Sequence, residues 1–167
     1  WEDGIAAFKA GNYAQAAKEF EAVVAGKPDW ANGQMMLGRA QLKLGKNQQA
    51  IAALRKAYDL EPGNGTIQLA LAQGYLEANM AGDAAQLLGR INPASLAKEQ
   101  QGTFSKLYAM ALDKSGQGDR AAQELAKAAA ASPNDAALQY QYGAAALNAG
   151  DTQAAVAALE KAVRLDP

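Results

Sequence analysis

Residues 31–64 read ANGQMMLGRAQLKLGKNQQAIAALRKAYDLEPGN, and this stretch decides the fold. It sets a small residue behind a large one at Leu37-Gly38 and a glycine at Gly45. Apolar groups follow at Ala50, Ile51, Leu54, Ala57 and Tyr58, and Pro62 closes it. The same features recur on either side. Pro28, Pro62, Pro133 and Pro167 are separated by 34, 71 and 34 residues, and 71 is twice 34 plus three. Only Pro93 falls outside that series. Twelve residues before each member stands Ala16, Ala50, Ala121 or Ala155, and Ala84 holds the place without its proline. Four residues on come Phe20, Leu54, Leu88, Leu125 and Leu159. Upstream sit the small residues Gly4, Gly38, Ala72, Ala109 and Gly143, where two helices can approach closely. A fixed period with this many positions in register marks a repeat architecture.

The local pattern is helical. Apolar residues at i, i+1, i+4, i+7 and i+8, as in Ala16, Ala17, Phe20, Val23 and Val24, draw one stripe on a helix of about 3.6 residues per turn. Gly11, Gly45, Gly116 and Gly150 fall between stripes, where glycine ends a helix with positive φ. Each proline of the series follows a second helix that it cannot extend. Asp29, Asn64 and Asp135 then stand as N-caps of the next helix. The spacing predicts ten helices, at 2–10, 13–26, 30–44, 47–60, 65–79, 82–91, 96–115, 118–131, 135–149 and 152–165, and leaves no place for a strand.

At these positions the chain resembles the tetratricopeptide repeat, a helix–turn–helix unit of this period. The resemblance covers the whole chain as about five units: 1–30, 31–64, 65–101 with a three-residue insertion, 102–135 and 136–167. Two family features are thin: the aromatic in the middle of the first helix survives clearly only as Tyr75, and the turn aromatic only as Tyr13. The resemblance implies an all-α fold, a single right-handed superhelical solenoid over residues 1–167. It also implies that the first helix of each unit lines a concave groove.

Carried over residue by residue, the groove positions are Ile5 and Lys9, then Asn32, Met35, Arg39 and Lys43. The third unit contributes Thr66, Leu69, Gln73 and Glu77; the fourth Lys106, Met110 and Asp113 or Lys114; the fifth Tyr140, Ala144 and Asn148. Asn32, Met35, Arg39, Lys43, Leu69, Gln73, Lys106, Met110 and Tyr140 are the candidate peptide-binding residues. An apolar strip with polar donors between its members suits an extended or helical peptide. The family's clamp for a C-terminal carboxylate needs lysines and asparagines in three successive first helices. Arg39, Lys43 and Lys106 match it only in part, and Met36 and Leu69 stand where polar groups are wanted, so binding of chaperone tails is not expected.

Composition excludes much else. With 16 basic and 17 acidic residues the net charge is −1, which argues against a nucleic-acid partner. No run of about 18 apolar residues exists to insert directly into a membrane. Histidine and cysteine are both absent, so neither a serine–histidine nor a cysteine–histidine nucleophile can be built, and the usual zinc ligand sets are missing. Gly116-Gln117-Gly118 resembles a fragment of a phosphate loop. It lacks the lysine and the preceding strand of that motif, and it falls where the other units have their turn glycine. The carboxylates, such as Glu19 and Glu21 or Asp59 and Glu61, fall on solvent-facing sides or beside turns. No enzyme activity, cofactor or metal is expected. Absence of cysteine fits the bacterial cytoplasm and periplasm alike, and alanine richness points to a bacterial protein.

One irregularity interrupts the period, since 37 residues separate the third and fourth units. Asn92-Pro93-Ala94-Ser95 breaks the chain early, and Leu96 to Lys114 reads as one longer helix. Three residues are close to a helical turn, so later residues return to nearly the same face. The alternatives are a local change of pitch or a knob that a partner uses. At the ends, Trp1 enters part-way through a first helix, and Val156, Leu159 and Val163 repeat the internal stripe on the last helix. That pattern is expected of a segment cut from a longer protein, or of a homodimer that covers this stripe with a second copy.

Together these readings lead to a protein-interaction scaffold that binds a peptide or protein segment in its concave groove. The main rival is a structural spacer or oligomerisation arm of a larger assembly or secretion machine. A third reading is the accessory arm of an enzyme whose catalytic domain lies elsewhere.

Overall fold

The pairing of small with large residues in the sequence becomes the contact between helices. A Cβ added to Gly4 would lie 2.7 Å from the Phe20 ring, one added to Gly38 2.6 Å from Leu54 Cγ, and one added to Gly143 2.6 Å from Leu159 Cγ. The backbones can approach this closely only because no side chain stands between them. The computed structural model describes residues 1–166; Pro167, last of the proline series, lies outside them. Among the described residues there are ten α-helices and no strand, so the fold is an all-α helical-repeat solenoid. The chain divides into two compact units, Trp1–Met80 and Ala81–Pro167.

The first unit holds α1 (Glu2–Lys9), α2 (Tyr13–Gly26), α3 (Ala31–Lys43), α4 (Asn47–Leu60) and α5 (Gly65–Glu77). Each helix packs on the next, and α3 also touches α5. Phe20, Leu54, Ile67 and Leu71 are its largest fully buried side chains, each contributing about 1.5–3 kcal/mol by leaving water. Leu54 is the keystone, since it lies under Gly38 of α3 while its Cδ1 is 3.1 Å from where a Cβ on Gly74 of α5 would stand. Trp1 closes one side, with its ring 5.4 Å from Phe20 and 4.4 Å from Trp30.

The second unit holds α6 (Ala81–Leu88), α7 (Lys98–Lys114), α8 (Gly118–Ala131), α9 (Ala136–Asn148) and α10 (Thr152–Leu165). Successive helices pack pairwise, and α7 also reaches α9. Between α6 and α7 the chain makes a short 3-10 turn, Pro93–Ser95, with the Asn92 side chain accepting from Ala94 N–H. The break therefore falls where Pro93 places it, but α6 stops at Leu88 and α7 starts at Lys98, both inside the expected bounds. Gly89 follows the last residue of α6 directly. A Cβ there would lie 3.0 Å from Ala85 O and 3.1 Å from the Tyr108 hydroxyl, so the chain turns away hard against α7.

The ends of the helices follow the turn chemistry, with one correction and two additions. Asn64 accepts from Thr66 and Ile67 N–H, and Asp135 from Leu138 N–H, as N-caps should. Asp29 does not cap α3. That helix begins at Ala31 with Trp30 in the cap position and no side-chain cap bond, because the register of Asn64 and Asp135 falls on Trp30, one residue later. Gly11, Gly45, Gly116 and Gly150 all have positive φ. Asn79 stands 34 residues after Gly45 and joins them with φ 59°, a conformation asparagine tolerates better than most residues.

The other addition is a recurring glutamine. Gln34 Nε2 donates to Pro28 O at 3.0 Å, Gln68 Nε2 to Pro62 O at 2.8 Å, and Gln139 Nε2 to Pro133 O at 3.3 Å. Each clasps the inter-repeat turn from six residues downstream. Gln139 Nε2 also lies 3.1 Å from Ala129 O, the last turn of α8. Where the proline series breaks, the corresponding residue of α7 is Ser105, which turns back to Gln101 O in its own helix.

Candidate peptide-binding surface

First helices carry the candidate residues, and their burial sorts those residues into two groups. In the first unit Met35 and Leu69 are buried, whereas Asn32, Arg39, Lys43 and Gln73 are exposed. The two apolar members therefore present only an edge to solvent, and the polar ones form the surface around them. Arg39 is held in place by its neighbours. Its guanidinium carbon lies 5.5 Å from the centroid of the Phe8 ring, which in turn meets Tyr13 edge-on at 5.3 Å. Stacking of this kind fixes an arginine fork against an aromatic face and leaves its N–H edge for hydrogen bonding. One turn beyond Gln73, Glu77 Oε1 accepts from Gln73 Nε2 at 2.7 Å.

In the second unit the structure brings the candidates together. Lys106, Met110 and Asp113 of α7 and Tyr140, Ala144 and Asn148 of α9 line one hollow of about 230 Å³. Its floor is Ala109, Ala121, Leu125, Gln141 and Ala145. Alanines on three helices line it, Ala109 of α7, Ala121 of α8 and Ala144 and Ala145 of α9, and their short side chains leave the space open. Met110 is 39% exposed and Tyr140 62% exposed, and both leave apolar surface at its mouth. Lys106 and Asp113 stand two turns apart on α7, about 10 Å by helical rise, so the rim carries a cation near one end and an anion near the other.

Gln141 adds a polar demand that sequence reasoning missed. Its Oε1 is buried and accepts no hydrogen bond among the described residues. A buried amide oxygen without a donor is costly, by about 1–3 kcal/mol. Nothing in the repeat pattern singled out Gln141, because its position is not one that recurs with a fixed residue type.

The described residues hold no cluster of three or more histidine, cysteine or carboxylate side chains that could ligate a metal. No helix among them is long and apolar enough to cross a membrane.

Comparison with known proteins agrees with this architecture. One tetratricopeptide repeat model matches residues 3–65 and again 109–167, and a second matches 42–101. The Hsp70-Hsp90 organizing protein of Triticum aestivum is 42% identical over 60 residues, which make up 36% of this chain and 10% of that protein. The chain thus spans a small part of the length of that relative. Among solved structures, MamA 41-end from Desulfovibrio magneticus RS-1 superposes with a TM-score of 0.84 at 17% identity, over 98% of this chain and 90% of that one. A crystal structure of MamA gives 0.82 at 19% identity over 98% and 94%, and MamA MSR-1 gives 0.79 at 23% identity over 99% and 93%. Those identities speak to fold alone. The first repeat model covers more than half of the sequence, and the chain belongs to the tetratricopeptide repeat family.

Proposed function

We propose that the chain is a protein-interaction scaffold that binds a peptide segment on its first-helix surface, with the α7–α9 hollow as the principal anchor site. The observation that carries this reading is the convergence of Lys106, Met110, Asp113, Tyr140, Ala144 and Asn148 on one apolar-floored hollow. A partner side chain of leucine to tryptophan size fits that volume. A backbone or indole N–H beside it would supply the donor that Gln141 Oε1 lacks. Lys106 and Asp113 then favour a segment with an acidic residue on one side of the anchor and a basic residue on the other. Arg39, held on Phe8, offers a similar directed donor in the first unit.

The family and its composition favour a non-catalytic role, since no histidine or cysteine is available for acid–base or nucleophilic chemistry. Panning a displayed random-peptide library on the chain tests the proposal. Enriched peptides should share a large apolar residue, and their binding should fall about tenfold or more on Met110→Glu or Tyr140→Ala. Enrichment of nothing, or of peptides indifferent to both changes, would favour the alternative of a structural spacer or oligomerisation arm.

A further inference from the structure

The break in the repeat opens a second cavity. α7 has 17 residues where α3, α5 and α9 have 13, and all four end at the same repeat position, so the added turn lies at the N-terminus of α7. The glutamine clasp moves with it, for Gln101 Nε2 donates to Leu96 O at 3.2 Å, one turn before the usual place. The usual place is left to the shorter Ser105, where the other first helices carry Gln34, Gln68 and Gln139. On the facing helix, Ala131 stands where α4 and α10 carry Leu60 and Leu165. Between α7 and α8 these short side chains leave a cavity of about 210 Å³, floored by the buried Phe104 and Leu138 and walled by Pro93, Ala128 and Ala131. It is built on α7 before Lys106, the part of that helix that the α7–α9 hollow does not use.

One charge stands in this apolar cavity with an incomplete partner. Glu124 lines it at a position that is buried in α4 as Ala53 and in α10 as Ala158. Its side chain is 31% exposed, and its Oε1 accepts from Lys127 Nζ at 2.8 Å while Oε2 accepts nothing among the described residues. Lys127 is 72% exposed, and an ion pair one turn apart with its cation in solvent holds the carboxylate weakly. Two further acceptors stand nearby. Ser105 Oγ donates to Gln101 O at 3.0 Å and keeps its lone pairs free to accept. The last turn of α8, ending at Ala131, brings the negative pole of that helix to the cavity wall.

We propose that this cavity takes the arginine side chain of a peptide partner, with the methylenes against Pro93, Ala128 and Ala131 and the guanidinium on Glu124. The apolar floor suits the stem of a long side chain, and the acceptors suit only a donor head. Arginine fits better than lysine, because its planar fork donates to a carboxylate and a hydroxyl at once and is more weakly hydrated. An acidic side chain fits worst, since it would meet Glu124 and the end of α8 with one solvent-facing lysine to offset them.

The test titrates the isotope-labelled chain with an acetylated, amidated pentapeptide, alanine throughout except for a central arginine, and follows NMR shifts. Saturable shifts should centre on Ser105, Ala128, Ala131 and Leu138, with an affinity on the order of 1 mM. The same peptide with citrulline, which has the shape of arginine without its charge, should bind about tenfold more weakly. Glu124→Gln should weaken the arginine peptide by a similar factor. Lys127→Ala should instead tighten it by about threefold, because the competing cation is gone. Ala131→Leu, at an exposed position, restores the residue of α4 and α10 and should abolish binding with the thermal midpoint kept. No shift at about 10 mM peptide, equal binding of the citrulline peptide, or weaker binding to the Lys127→Ala chain overturns the proposal. So do shifts centred on Met110 and Tyr140, since the arginine then sits in the other hollow.

Discussion

Leu54 Cγ lies 2.6 Å from the point that a Cβ on Gly38 would occupy, so the two residues share one packing position between α3 and α4. Each limits the other. Leu54→Ala should destabilise the first unit by about 2–4 kcal/mol through lost burial and a cavity. Gly38→Ala should also destabilise, by about 1–2 kcal/mol. Overpacking against Leu54 and against Ala50 O, 3.0 Å away, outweighs the gain in helix propensity. Because coupling in helical repeats is between neighbours, the loss should appear first as local unfolding of α3–α5 in hydrogen exchange. The double variant Gly38→Ala with Leu54→Ala should be less destabilised than the sum, and urea titration measures the difference.

The clasp of Gln139 predicts a second effect. Its Nε2 serves two carbonyls, of Ala129 and Pro133, in a side chain that is buried. Gln139→Leu removes those bonds and leaves a carbonyl group without a donor, which should cost about 1–3 kcal/mol by chemical denaturation. The same change at Gln68, whose bond to Pro62 O is at the surface, should cost less than about 1 kcal/mol because water replaces the amide. Equal losses at both sites would show that burial does not govern the clasp.

Asn79 provides a test of the turn. With φ 59° it occupies the left-handed conformation that four glycines adopt in the other turns. Asn79→Gly should leave stability within about 0.5 kcal/mol of the original, and Asn79→Val should lower it by about 1–2 kcal/mol. Thermal unfolding of the two variants side by side separates a backbone requirement from a side-chain one.

The contrast between what the sequence disclosed and what it hid follows from packing. Helix pairs were legible because second helices such as α4 bury one stripe, so Ala50, Ile51, Leu54 and Ala57 stand out at helical spacing. First helices are covered on more sides. In α3 most residues from Ala31 to Leu42 are buried, since α2, α4 and α5 all touch it. Periodicity there does not separate core from groove, which is why Met35 and Leu69 read as surface positions although they are buried. Lys106, Met110 and Tyr140 were placed on one surface by the family resemblance together with the repeat register, whereas the orphaned Gln141 oxygen depends on rotamers that no spacing encodes. Asp29 failed as a cap by a single residue, the usual scale of error at a helix end.

The central claim is that a peptide seats in the α7–α9 hollow. Titrating a library-selected peptide into the isotope-labelled chain and following amide and methyl NMR shifts tests it most directly. The account predicts the largest perturbations at Lys106, Met110, Tyr140, Ala144 and Asn148, with the Gln141 side-chain amide shifting as its oxygen gains a donor. Perturbations confined to residues outside the hollow, such as Lys127, Asp119 and Arg164, with Met110 and Gln141 unmoved, would contradict it.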